Sequence, residues 1–324
     1  MPHNYDLLFN RRNALGLGMA GAGASLAPLA AGLGFATPAN ATTLKSKTYD
    51  FTKPEDNFRA TMKSWITTKP DEEVIVYFFG VESAVTDDGK KVIPICGRVG
   101  TDFYRVIPQA DGSYRCLLNE LVFYTDLGTG EVLNTWYNPM IEEEVEVFHL
   151  RQGPVNFTLS KDRWEMDFAA GRSERRWTIV DDHAFLNWHS DSSKKNPLDP
   201  KKWPRESTGE MTYRHEFMVT ISSLAELENP EIGSVKARGM WGSIKDWLPW
   251  MLMGDKPGRI FTRMSSTKID SAALLPRPVL DYAEKHYPEM LAAPKKWTDE
   301  YVTIYDHFER ERKPKPPKSA GAGT

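Results

Sequence analysis

Six histidines lie beyond residue 42, at His149, His183, His189, His215, His286 and His307. The first four fall in stretches whose composition predicts strands, and His149, His189 and His215 stand amid aromatic residues. If these three converge inside a barrel, they could bind zinc or iron, or one could serve as a general base near neutral pH. Each sits alone on its own strand, however, so the spacing is no metal motif, and a hydrogen-bonded core or surface histidine is the plain alternative for each.

Other residues add chemistry. In Tyr213-Arg214-His215-Glu216 a two-residue period puts Tyr213 and His215 on one face and Arg214 and Glu216 on the other. A tyrosine and histidine facing a cavity could share proton transfer; the alternative is an amphipathic strand with an exposed Arg-Glu pair. Glu120, if it enters an apolar barrel, would have its pKa raised and could act as acid or base. It could equally bind Arg98 or Arg105 and hold strands together. Trp136, Asn138 and Arg105 are candidate ligand contacts, as are Trp247, Trp250 and Met253 in the Trp- and Met-rich segment 241–258. Large soft side chains there suit an apolar or aromatic ligand, or else a plug that seals the core.

The elements that must position these groups are mostly strands. Pro54-Glu55-Asp56 opens a helix to about Trp65, with proline early and acids in the first turn. Strands are predicted over 73–79, 92–107, 113–124, 132–136, 144–149, 177–189, 211–222 and 259–268, from β-branched and aromatic runs and from acid/apolar alternation. The alternation Glu144-Val145-Glu146-Val147 carries His149 inward with the valines. Asp111-Gly112 and Thr129-Gly130 predict hairpins, and 190–207 predicts a solvated loop. Helices are predicted over 276–293 and 297–312, the last capped by Thr298, followed by a disordered tail, 313–324. Antiparallel strands in this number predict a mainly β fold, an antiparallel β-barrel of calycin or lipocalin type or a curved sandwich, with an N-terminal helix and a C-terminal helical cap. Such a barrel has room for one small ligand.

Several strings together resemble a known family: Glu120-x3-Tyr124-x-Asp126, the run Thr129 to Pro139, Glu144 to His149 with Gly153-Pro154-Val155-Asn156, and Trp247-x-Pro249-Trp250-Met251-x-Met253-Gly254. They resemble the domain-of-unknown-function family numbered 1838, over about Tyr77 to Pro294. That resemblance implies export by the twin-arginine route, as for many members, and carries no catalytic residues. After His149, where the family has an Asn-Asp-Pro-Val-like stretch, this chain has Arg151-Gln152-Gly153-Pro154-Val155.

Residues 1–41 themselves read as a twin-arginine signal: Arg11-Arg12, an Ala/Gly-rich apolar run, and a small-residue site at Ala39-Asn40-Ala41, with cleavage after Ala41. The expected location is the periplasm, with the Tat translocase as partner during export. Removing the segment lowers 41 basic and 44 acidic residues to 39 and 43, a net charge of −4. With no basic excess, nucleic acid binding is not expected. No later apolar run approaches the length of a membrane span. Cys96 and Cys116 are the two thiols; a two-residue turn at Asp111-Gly112 would set Cys116 opposite Ile107, so both are expected buried and free. Beyond residue 41 there is no GxSxG, GxGxxG, P-loop, HExxH or CxxC. No cofactor is required, though a His-bound metal is allowed. The leading expectation is an exported enzyme performing acid/base chemistry of lyase, isomerase or hydrolase type on a small apolar or aromatic molecule, with His149, His215, Tyr213 and Glu120 as catalytic candidates and His149, His189 and His215 as a metal set. The alternatives are a non-catalytic lipocalin-like carrier and a protein-interaction module.

Overall fold

The computed structural model describes residues 46–162 and 170–317. The expected signal, residues 1–41, and the tail beyond residue 317 lie outside the described residues. The chain enters through α1 (Pro54–Trp65), with proline in its first turn and Glu55 and Asp56 beside the N-terminal dipole. A meander follows of β1 (Val74–Thr86), β2 (Lys91–Pro108) and β3 (Tyr114–Thr125); then come a short ribbon of β4 (Thr135–Asn138) and β5 (Glu143–Glu146), and β6 (Leu150–Leu159). A second meander comprises β7 (Ala170–Val180), β8 (His183–Lys195), β9 (Met211–Ser223), β10 (Arg238–Lys245) and β11 (Arg259–Ile269), with α2 (Leu224–Glu228) between β9 and β10. The chain finishes with α3 (Arg277–His286) and α4 (Ile304–Glu311).

The two meanders join where β1 pairs antiparallel with β11, from Ile75↔Ile269 to Val85↔Arg259. The result is one nine-stranded antiparallel sheet, β6-β3-β2-β1-β11-β10-β9-β8-β7, curled into a half-barrel. Side chains of β2, β3 and β6 from one end and of β8 and β9 from the other line a single cavity. At the free edge of β6 the segment before α4 takes a strand's place: Gly153 N–H donates to Val302 O and Val302 N–H to Pro154 O. Tyr305 then reaches across to Lys194 of β8, whose ammonium lies 5.6 Å from its ring centre. No helix among the described residues is long and apolar enough to cross a membrane.

The mainly β fold with terminal helices is the one expected, but local details differ. The run 177–189 is two strands, because Asp181, at φ 55°, reverses the chain between β7 and β8. The Thr129-Gly130 turn forms, held by Asp126 Oδ1 accepting from Gly128 and Thr129 N–H, yet only one bridge, Thr125↔Val132, follows it. Beyond it the chain turns away to pair with β5, and that strand ends at Glu146, leaving His149 between elements. The last helix starts later than expected. Thr303, not Thr298, caps α4 through a reciprocal capping box with Asp306, and Thr298 instead accepts from Asn156. The β2–β3 loop spans Gln109–Ser113, so Cys116 pairs with Val106, one step from the expected Ile107. Both cysteines are buried and free.

One end of the half-barrel is plugged by α1, whose Phe58 and Met62, with Ile66 at its C-terminal cap, pack on Tyr104, Cys116, Leu118 and Phe157. A helix end leaves carbonyls without partners. Buried Lys268 of β11 meets two of them, donating from Nζ to Lys63 O and Ile66 O, and also to Ser234 Oγ. Burial draws its pKa down to about 7. The Trp/Met segment packs elsewhere, around Trp250 and Met251 with Tyr124, Trp203 and Phe308.

Candidate functional site

The registers of the ladders sort the concave face into transverse rows. One row runs Gln152–Glu120–Asp102–Val76–Lys268; the next Gly100–Phe78–Ser266–Gly239–Thr220; the next Arg98–Gly80–Met264–Trp241–Met218–Trp188. Beyond them lie Glu82–Thr262–Ser243–Glu216–Ser190 and Ala84–Ile260–Lys245–Arg214–Ser192. Rows on one face are about 7 Å apart, two residues of strand rise. Together they enclose a cavity of about 390 Å³, the size range of small-molecule sites. Glycines hollow it: a methyl on Gly100 would strike the Phe78 ring and the Leu121 carbonyl.

The wall is apolar in the middle and ionised at both ends. Glu82, fully buried on β1, accepts from Arg98 Nη1 at 2.7 Å, from Lys245 Nζ at 3.1 Å and from the Thr262 hydroxyl. Burial alone would raise its pKa, but Lys245 and Arg98 outweigh that and hold it at about 2. The Trp241 ring stands between two guanidinium groups, Arg98 at 5.6 Å and Arg214 at 5.4 Å. Glu216 fixes this arrangement by accepting from Trp241 Nε1 at 3.1 Å and pairing with Arg214 at 2.7 Å.

At the other end Asp102 and Glu120 are directly opposed cross-strand neighbours on β2 and β3, where side chains meet within a few ångströms. Burial raises both pKa values; the charge of Glu120 pushes Asp102 further up, whereas Arg98 and Arg214 restrain Glu120. Two adjacent buried carboxylates oppose each other's ionisation, so the pair titrates as a unit. Tyr104 OH donates to Asp102 Oδ2 at 3.1 Å, and Asp102 Oδ1 has no partner among the described residues. Glu120 accepts from Gln152 Nε2 and lies 3.9 Å from Arg98 Nη2. Tyr301 of the strap at the β6 edge completes this end; burial, and then the charge of Glu120, raise its pKa.

Of the residues proposed from the sequence as catalytic, ligand-binding or metal-binding, Glu120 and Trp247 line this cavity and the others do not, save Tyr213, whose exposed side chain also borders it. The Tyr213/His215 and Arg214/Glu216 faces are separated as the period requires, but their sense is reversed: Arg214 and Glu216 point inward, because the cavity is itself charged. His215 and His189 lie exposed on the outer face, where Asp191 Oδ1 contacts His215 Nδ1 at 2.8 Å and His189 Nε2 at 3.2 Å. His149 is far from them in the sheet order, packed against Phe123 and Tyr282 under α3 and accepting at Nδ1 from Tyr124 N–H at 3.2 Å. The three histidines therefore do not converge, and no group of three His, Cys, Asp or Glu among the described residues is placed to hold a metal ion. Arg105 belongs to the outer face and binds Asp71 O and Glu73. Asn138 is a fully buried clamp donating to Met251 O at 2.8 Å, and Trp136 meets Trp250 edge-on. Trp250 and Met253 are core, which answers the plug-or-ligand question for them. Asp102 and Glu82 escaped the sequence reading; strand parity with Arg98 and Tyr104 was the signal available.

Burial pushes the pKa of His149 down to about 4. Between there and the ordinary value of 6.5 an unfolded chain takes a proton that the folded one refuses. This part of the stability is full above about pH 6.5, and about 3 kcal/mol of it is lost as the pH falls toward 4. Thermal melts from pH 7 to 4.5 are expected to show a steep loss in the native protein. The loss will be shallower in His149→Gln, which keeps an acceptor for Tyr124 N–H; equal slopes would refute the assignment.

No curated protein and no solved structure matches the chain. Residues 72–312 match the family described as "Protein of unknown function (DUF1838)", a span that takes in every row of the cavity from β1 to β11 and the strap that closes its side, and the chain belongs to that family.

Proposed function

We propose that the cavity is the catalytic site of an enzyme performing acid/base chemistry, of isomerase or lyase type, on a small and largely apolar carbonyl compound. The observation that carries this is the Asp102–Glu120 pair: two opposed carboxyl groups in the cavity wall, one with a buried oxygen that has no partner among the described residues. A protonated Asp102 donates from Oδ1 to the substrate's carbonyl oxygen while Glu120 removes the proton from the adjacent carbon; an enol results, and proton return at another position completes an isomerisation. Tyr104 OH orients Asp102, and Gln152 orients Glu120. Trp188, Phe78, Met218 and Met264 supply apolar wall and exclude water. Among the residues proposed from sequence, Glu120 keeps a catalytic role, and His149, His215 and Tyr213 give theirs up to Asp102. The test is NMR in deuterium oxide with a panel of hydrophobic ketones and aldehydes. Deuterium entering next to the carbonyl at a rate above buffer supports the proposal; an unaltered small molecule co-purifying with the protein, with no exchange in any member, would make it a carrier.

We further propose that residues 1–41 direct export through the twin-arginine translocase and that the mature protein works in the periplasm. Fusing them to a reporter that is active only after export should give signal that Arg11→Lys with Arg12→Lys abolishes; an unchanged signal counts against this route.

A further inference from the structure

Donors outnumber acceptors at the Arg98 end of the cavity. Lys245 Nζ has three N–H groups and spends one on Glu82. Arg98 is 3% exposed, and its Nε has no partner among the described residues. Arg214 contributes a third cation, paired with Glu216 through Nη2. Glu82 is already used by Arg98, Lys245 and Thr262, and Glu216 by Arg214 and Trp241. Of the other acids lining the cavity, Asp246 is engaged by Arg259 and by Tyr213 N–H, Asp191 by the two outer histidines and Glu206 by Lys315 N–H, while Glu120 faces Arg98 Nη2 at 3.9 Å. Three cationic groups, Arg98 and Lys245 in the wall and a half-exposed Arg214, thus meet Glu82, Glu216 and, at 3.9 Å, Glu120, and Arg98 Nε and two N–H groups of Lys245 are still unspent. Buried donors without acceptors are costly, and a planar anion with two oxygens is the group that satisfies an arginine and a lysine together.

We infer that the ligand of this cavity is an amphipathic carboxylate, its acid group held by Arg98, Lys245 and Arg214. Its apolar body lies across the Phe78 and Met264 rows, which separate Lys245 and Arg214 from Asp102, while Arg98, in the Met264 row, reaches from Glu82 to within 3.9 Å of Glu120. The inference rests on reading the cavity as the ligand site and adds the substrate class to it. A molecule so held is anchored by its acid end and presents its far end to Asp102 and Glu120, so the substrate class becomes an oxo acid with several apolar carbons between its two oxygenated ends.

The test compares decanoate with 1-decanol, and 4-phenylbutyrate with 4-phenylbutan-1-ol, by titration calorimetry at pH 7.5 on the folded protein. Each acid is expected to bind at least about tenfold tighter than its alcohol, the value of one charge-assisted hydrogen bond. Lys245→Met and Arg214→Met are each expected to reduce that ratio, and the pair of changes together to bring it near unity. Arg98 is left in place, because its removal strands buried Glu82. Equal binding of acid and alcohol, no binding of any of the four, or a preference that survives Lys245→Met with Arg214→Met would overturn the inference. Acid preference without proton exchange on any carbonyl compound sinks the catalytic proposal alone; exchange on neutral ketones with no acid preference sinks this one alone.

Discussion

Glu120→Gln is expected to slow proton exchange on a carbonyl substrate by about 10²–10⁴-fold, the contribution typical of a positioned general base, while the affinity for that substrate changes little. The amide is the same size, still accepts from Gln152, and stays opposite Asp102. What it loses is basicity, together with the charge that faces Arg98 at 3.9 Å. Asp102→Asn should also cost activity, through a different signature. An amide can still donate a hydrogen bond to a carbonyl oxygen, so the loss should be smaller, and with no neighbouring acid to share a proton Glu120 should titrate lower. In native protein the pair moves as a unit, and the pH dependence of kcat/KM should show two apparent values belonging to the pair; in Asp102→Asn the acid limb should shift to lower pH. A native profile unchanged by either substitution would remove the pair from the mechanism.

The largest stability effect is expected at Glu82. Its carboxylate is fully buried and binds two cations, both buried with it. Glu82→Gln keeps the shape and removes the charge, leaving Arg98 and Lys245 facing each other in a low-dielectric site, at an expected cost of about 3–5 kcal/mol. Lys245 supplies the check, since burial already lowers its pKa to about 8 against the opposing pull of Glu82. Without that pull it should give up its proton near neutral pH and absorb part of the loss. Urea denaturation of Glu82→Gln, Lys245→Met and the double variant should therefore give strongly non-additive losses, the double variant being less damaged than the sum of the singles. Additive losses would show that the charges do not interact.

Much of this architecture was legible because strand signals are local. Composition alone located α1, the first half of β1 and most of β2, β3, β9 and β11, and the parity argument separated Arg214 and Glu216 from Tyr213 and His215. What parity lacks is a sign. An apolar pair such as Tyr213 and a neighbouring Phe217 would normally mark the buried face, yet here the outer face carries them and the charged residues turn inward, because the interior is an ion-lined cavity instead of a packed core. The histidines misled for the same reason: residue type suggested a site, whereas sheet order, which no local signal contains, places His149 at one end of the sheet and His189 and His215 toward the other. Glu120 was found because it is a lone acid in an apolar run; Asp102, its partner, became visible only when the β2–β3 register was known.

The pairing of β1 with β11 has a consequence for how the chain is made. Ile75 finds its neighbour at Ile269, so the seam uniting the two meanders has very high contact order, and such topologies fold slowly. Until β11 leaves the ribosome the first meander presents β1 as an open edge, the kind of strand that recruits unwanted partners. Both halves of the cavity come into register in that late step, which makes ligand binding a property of the finished chain and ties the lifetime of the exposed edge to the rate at which the last third of the protein is synthesised.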